Sequence, residues 1–307
     1  MSHRGFPGDG ALASRMAIVI FLLGLVYVAF IAALIALGVP TITIILVVGG
    51  FFLLQYYLSD RIALFSLGAH EVTAEEAPQL HGVVDRLCTL ADMPKPRIAV
   101  AQNDMPNAFA TGRSQKNSVL CVTTGLMRRL DESELEGVLG HELSHVAHRD
   151  VIVMTIASFL GLLAGLITRS LMYTGMYGGF GGGRRGRDED RGAAMIMAVI
   201  LVSAVVYAIS FFLTRALSRY RELSADRSAA ILTGRPSTLA SALVKVTGEM
   251  AAIPTRDLRN AEPLNAFFFV PALASGFSLS SLFASHPSLE TRLAQLAQIE
   301  AELARAG

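Results

Sequence analysis

HELSHVAHRD, residues 141–150, lies between a charged segment, DESELEGVLG (131–140), and an uncharged apolar run that begins VIVMTIASFLGLLAGLIT (151–168). On a helix, positions i and i+4 share a face, so His141 and His145 present two imidazoles to one metal ion while Glu142 projects beside them. Asp131 followed by Glu134 starts that helix on the capping pattern, and nothing stops it before Val151. A metal-ligand signature is therefore expected on a helix that continues into a membrane span.

The chain as a whole is apolar. It has 307 residues, 52% hydrophobic and 17% charged, with a mean hydropathy of +0.50, and is more apolar than an ordinary soluble domain. No charged residue occurs between Met16 and Ser59, a run about long enough for two spans of ~20 residues each. Gly38, Val39 and Pro40 supply the break, giving helices at roughly 16–37 and 41–58. The first run is of full span length, lacks a small-residue cleavage site and is followed at once by a second span, so it is not read as a cleavable signal peptide. Later apolar runs at 151–168 and 193–214 form a second hairpin, which makes about four transmembrane helices. The Gly/Arg-rich stretch within 169–192 reads as a flexible loop, and 264–284, interrupted by Pro271 and Gly276, as a buried or interfacial loop. The resulting division is a tail at 1–15, a membrane hairpin at 16–58, a first catalytic part at 59–150, a second hairpin at 151–214 and a second catalytic part at 215–307. A net charge of +1 gives no case for nucleic acid. Cys88 and Cys121 show no disulfide pattern and favour a reducing compartment for the soluble part.

Residues 60–150 read as a soluble α+β unit. Thr73 with Glu76 is a capping box opening the helix AEEAPQLHGVVDRLCTLADM (74–93). PRIAVAQ (96–102), NAFATG (107–112) and NSVLCVTTG (117–125) are short β-prone segments, a small sheet of about three strands. NAFATG fits two places: a sheet edge, where an extended peptide can pair with its backbone, or the core. TRALSRYRELSADRSAAILTG (214–234) is helical up to Gly234, and further helices are expected at roughly 237–252 and 288–305.

Two histidines leave a catalytic zinc one protein ligand short. The long H-E-x-x-H-x-x-G-x-x-H form requires Gly at 148 and His at 151; the chain has His148 and Val151, which excludes it. The other solution is a glutamate on a later helix. RELSAD (221–226) offers Glu222, with Asp226 one turn on, where it could accept a hydrogen bond from a ligand histidine. His145 lies six residues before the third span and Glu222 eight after the fourth. If both helices are continuous, each stands roughly 9–12 Å from the same membrane face at 1.5 Å per residue. The chemistry is peptide-bond hydrolysis: zinc polarises the carbonyl and acidifies water, and Glu142 acts as general base and then returns the proton to the leaving amine. His148 reads as an exposed histidine near the interface, and His3, His70 and His81 have no spacing that implicates them.

Four ordered motifs, PNAFATG (106–112), HELSHVAHRD (141–150), RELSADRSA (221–229) and SHPSLETRL (285–293), carry a resemblance over nearly the whole chain to the HtpX-like membrane zinc metalloproteases, gluzincins related to the prenyl-protein endopeptidases. The resemblance implies an integral membrane α-helical protein with a mainly α, α+β zincin-type domain. It implies one Zn2+ per subunit on His141, His145 and Glu222, with Glu142 as acid/base and Asn107, Ala108, Phe109 and Ala110 as the substrate-binding edge strand. His286 and Arg292 match residues near the active site; the expectations are that His286 stabilises the oxyanion and that Arg292 orders the surrounding carboxylates. Unfolded or membrane protein substrates, quality control in the cell membrane and a cytoplasmic catalytic domain are likewise implied. Arg184, Arg185, Arg187 and Arg191 then fall on the external side, against the usual arginine bias. Two alternatives stay open: a specific processing protease of the prenyl-protein type, which typically has more spans, and a catalytically silent scaffold that keeps its zinc. An intact Glu142 weighs against the scaffold.

Overall fold

The computed structural model describes residues 10–112, 114–177, 187–252 and 286–306. The expected loop at 264–284 lies outside them. The chain divides into two compact units, one of Met1–Met16, Leu58–Val153 and Ser218–Gly307, the other of Ala17–Tyr57 and Met154–Leu217.

The second unit is built from helices α1 (Gly10–Ala36), α2 (Thr41–Ser66), α6 (Asp150–Tyr177) and α7 (Arg187–Thr233), which run beyond it at their ends. Long apolar runs become helices because each backbone polar group is then satisfied inside its own segment. Gly38, at φ +84°, closes α1 in the left-handed conformation that glycine adopts without strain, and Val39 N–H returns to Leu34 C=O. Three helices among the described residues are long and apolar enough to cross a membrane, within Ala13–Ala36, Val153–Met172 and Ala194–Thr233; the corresponding stretch of α2, Thr41–Leu53, is shorter. Phe30, Leu34, Ile44, Ala164, Val199 and Val206 form the core of this unit. Much of the stretch expected as the Gly/Arg loop is helical, since α6 runs on to Tyr177 and α7 begins at Arg187; residues 178–186 lie outside the described part.

The first unit holds β1 (Ala69–Glu71), α3 (Pro78–Ala91), β2 (Arg97–Ala101), β3 (Ala108–Gly112), β4 (Ser118–Thr123), α4 (Thr124–Arg129), α5 (Glu132–Ala147), the end of α7, α8 (Pro236–Ala252) and α9 (Leu289–Ala306). The sheet has four strands rather than three, in the order β1-β2-β4-β3. β2 and β4 run parallel and the outer pairs antiparallel, so β3 is an edge strand. Side chains alternate across the pleat. Ile98, Val100, Leu120 and Val122 face a core with Leu87 of α3, Leu139 and Leu143 of α5, Leu239 and Leu243 of α8 and Leu296 of α9. Ala99, Ala101, Phe109, Val119 and Cys121 pack on the other side with Leu64 and Leu67.

Two helix starts differ from expectation. Glu76 accepts from Thr73 N–H at 2.7 Å, but this closes a turn, and α3 begins later, at Pro78, whose missing N–H costs nothing in a first helical turn. The helix carrying the metal signature is not continuous with the apolar run: α5 ends at Ala147, Arg149 takes a left-handed φ of 58°, and α6 starts afresh at Asp150. At the other end of α5, Asp131 and Glu134 do form the reciprocal capping box.

Candidate metal centre

α5 and α7 bring three acceptors to one point. His141 and His145, one turn apart on α5, place their Nε2 atoms 3.2 Å from each other. Glu222 of α7 puts Oε2 3.5 Å from His141 Nε2 and Oε1 3.5 Å from His145 Nε2. All three side chains are buried, and their ligand atoms lie within 4.8 Å of one another.

The opposite nitrogens of the two imidazoles are committed elsewhere. His141 Nδ1 is 2.8 Å from Asp226 Oδ1, and His145 Nδ1 is 2.7 Å from Asp150 Oδ2. A carboxylate accepts, so each Nδ1 carries the proton and each Nε2 turns a lone pair inward. Arg292 holds Asp226 with two hydrogen bonds, Nε to Oδ2 at 2.7 Å and Nη2 to Oδ1 at 2.6 Å. Arg221 Nε lies 3.0 Å from Asp150 Oδ2.

This donor set fits a divalent cation. Two inward lone pairs and a carboxylate face one another with no donor among them, an arrangement that repels itself unless positive charge sits at its centre. Without a metal ion a proton supplies that charge: burial pushes the His145 imidazole down, yet the Asp150 and Glu222 carboxylates carry it up to about 10. His141 is likewise raised, burial being outweighed by Asp226 and Glu222.

Glu142 lies beside this group on α5 but joins the sheet. Its Oε2 accepts the backbone N–H of Ala110 at 3.1 Å, and burial raises its carboxyl above the usual range. In the β3–β4 register Thr123 N–H donates to Asn107 C=O, and Ala108 and Ala110 stand opposite Val122 and Leu120. The alternation of an antiparallel ladder then turns the backbone groups of Ala108, Ala110 and Gly112 away from β4. Asn107 is buried just ahead of the strand with its N–H on Thr123 Oγ1, and Phe109 packs into the sheet.

His286 and Arg292 flank the start of α9, where Ser288 Oγ accepts from Thr291 N–H. Arg292 reaches Asp226, while His286 places Nδ1 3.0 Å from Glu222 Oε2, against the carboxylate of the third acceptor. His148 caps the end of α5 and is not part of the group. Asp150 and Arg221 were not singled out by sequence reasoning. The signal was there in part, since Asp150 is an acid at the threshold of an apolar run and Arg221 adjoins Glu222.

Comparison with known proteins places the whole chain in a family. The profile of Peptidase family M48 matches residues 74–300. "Protease HtpX homolog 1" of Streptomyces coelicolor is 58% identical over 301 residues, covering 98% of this chain and 97% of that one. "Protease HtpX homolog" of Moorella thermoacetica is 55% identical over 301 residues, 98% of each chain. The crystal structure of S. mikatae Ste24p shares the fold with a TM-score of 0.54 at 18% identity, over 94% of this chain and 67% of that one. A family match across most of the chain, close relatives along nearly its full length and a buried His-His-Glu group beside a carboxylate lead to one conclusion: the chain belongs to peptidase family M48 and is a metalloprotease.

Proposed function

We propose that this protease is a zinc endopeptidase of the membrane, in which His141, His145 and Glu222 hold one zinc ion and Glu142 is the general base. What carries the reading is the convergence of three inward-facing acceptors next to a carboxylate that touches the edge strand. Bound there, zinc supplies Lewis acidity toward water and toward the scissile carbonyl. Glu142 takes the proton from the attacking water and delivers it to the leaving amine, from a position next to His141 on α5 with Oε2 on the Ala110 N–H. A substrate in extended conformation pairs with the outward backbone groups of β3 at Ala108 and Ala110, which lays a peptide bond alongside Glu142. His286 acts through Glu222, which it orients, and Arg292 through Asp226 and His141.

The substrates are unfolded or membrane proteins, because an edge strand recognises backbone and asks only for an extended segment. α2 is the fourth span and completes the first hairpin, and the catalytic unit faces the cytoplasm.

The test is cleavage of an unfolded model protein by the purified, zinc-loaded enzyme in detergent beside Glu142→Gln. The variant is expected to keep one zinc per chain and to cut about 10²–10⁴-fold more slowly. Cleavage at the wild-type rate by the zinc-loaded variant would remove Glu142 from the mechanism.

A further inference from the structure

We infer that Asp150 and Arg221 are positioning residues for the metal site, a second acid–arginine pair built around His145 as Asp226 and Arg292 are built around His141. The inference rests on the reading of His141, His145 and Glu222 as zinc ligands.

Asp150 is 3% exposed, its Oδ2 is 2.7 Å from His145 Nδ1, and the same oxygen is 3.0 Å from Arg221 Nε. Arg221 is itself buried, with Nη2 3.4 Å from His145 Nδ1. The geometry is reached only because the helix breaks. Had α5 run on, Asp150 would lie five residues beyond His145, about 500° around the helix and off its face. The left-handed Arg149 swings the chain so that the first residue of α6 folds back onto the imidazole.

Three consequences follow for the ligand. The carboxylate fixes the tautomer with the proton on Nδ1, so Nε2 is free to bind metal. It also stops rotation of the ring. Third, it neutralises Arg221, the neighbour of Glu222 in sequence, whose charge would otherwise stand uncompensated beside a ligand nitrogen and oppose a divalent cation. The two pairs are not equivalent: Arg292 grips Asp226 with two hydrogen bonds, whereas Arg221 meets Asp150 through an ion pair at one nitrogen. Asp226 is therefore the more firmly held of the two carboxylates.

A structural role is the competing account, since an acid at the start of a long helix stabilises that helix by charge alone. The two separate in one experiment on the full chain in detergent. Zinc dissociation constants are measured by chelator competition, visible spectra are taken on the cobalt-substituted protein, and thermal unfolding is followed on the metal-free protein. Asp150→Asn is expected to weaken zinc binding about 10–100-fold and to alter the cobalt spectrum. Asp150→Glu, which keeps the charge, retains more of the affinity, and adding Arg221→Gln to Asp150→Asn recovers part of the loss by removing the stranded cation. Unchanged zinc affinity in Asp150→Asn, with only the metal-free protein destabilised, overturns the proposal in favour of helix capping. Equal losses in the Asn and Glu variants, with no recovery in the double variant, also overturn it. A wild-type protein that binds no zinc defeats the ligand assignment itself, an outcome distinct from both.

Discussion

Arg292 is 2% exposed, and its guanidinium is matched in plane and charge by the carboxylate of Asp226. Replacing it with methionine keeps most of the volume and strands Asp226 as a buried anion, so Arg292→Met is expected to cost about 3–5 kcal/mol of unfolding free energy, measured by chemical denaturation. A loss below about 1 kcal/mol would mean that water reaches Asp226 and replaces the guanidinium, since a solvated ion pair contributes no more than that. At this scale the sequence was legible wherever spacing on a single helix decides the outcome. His141, Glu142 and His145 are fixed by a five-residue pattern, and Glu222 and Asp226 again by one turn. Asp150 was legible only as an acid at the threshold of an apolar run, because its contact with His145 depends on a break at His148 and Arg149. Neither residue is a glycine or a proline, and a left-handed arginine announces itself only once the tertiary contacts that hold it are known.

Helix α5 is held against α8 by polar contacts at its first turn and by close approach further on. Glu134 accepts from Ser241 Oγ at 2.7 Å and from Lys245 Nζ at 2.7 Å, and a side chain at Gly137 would meet the backbone of Leu239 at 3.2 Å. Burial pushes the Glu134 carboxyl up, but Lys245, Ser241 and the Asp131 N–H outweigh it and hold it below the usual range. A carboxyl depressed on folding stabilises the fold at pH above its unfolded value, and the contribution is lost as pH falls through the folded value. Lys245 is raised by the same contact, so its share is present below the ordinary lysine range and fades only as pH rises through the folded value. Thermal midpoints followed from neutral pH into the acid range should therefore fall more steeply for the wild type than for Glu134→Gln. Parallel curves would assign the pair no net role. The elements themselves were readable to differing degrees. The capping box of α5 was plain, whereas β1, three residues long, and α4, six residues long, carry no periodicity for a pattern to reveal. The same Thr-x-x-Glu signature at Thr73 closed a turn because Pro78 set the helix start instead.

The catalytic unit is assembled from stretches on either side of an inserted pair of long apolar helices, so its metal group joins residues far apart in sequence. Zinc binding only to the folded state should stabilise it by about 4 kcal/mol when free zinc is 1,000 times the dissociation constant. Chelation is accordingly expected to lower the midpoint of the wild type and to leave Glu222→Ala nearly unmoved; equal shifts would place the ion elsewhere. The hydropathy pattern made the long apolar helices visible, three of them long and apolar enough among the described residues to cross a membrane, and composition separated them from the α+β unit. The absence of a breaker before Gly234 likewise agrees with α7, a helix of 47 residues from Arg187 to Thr233. The position of Glu222 beyond the second apolar pair has a consequence for the protein while it is being made. Synthesis proceeds from the N-terminus at about 5–20 residues per second, so a ribosome finishes His141 and His145 seconds before it reaches Glu222, and every residue of the second apolar pair is translated in between. A nascent chain carries an incomplete centre throughout that interval. The order of translation thus delays completion of the His-His-Glu group until both of these long apolar helices have been made.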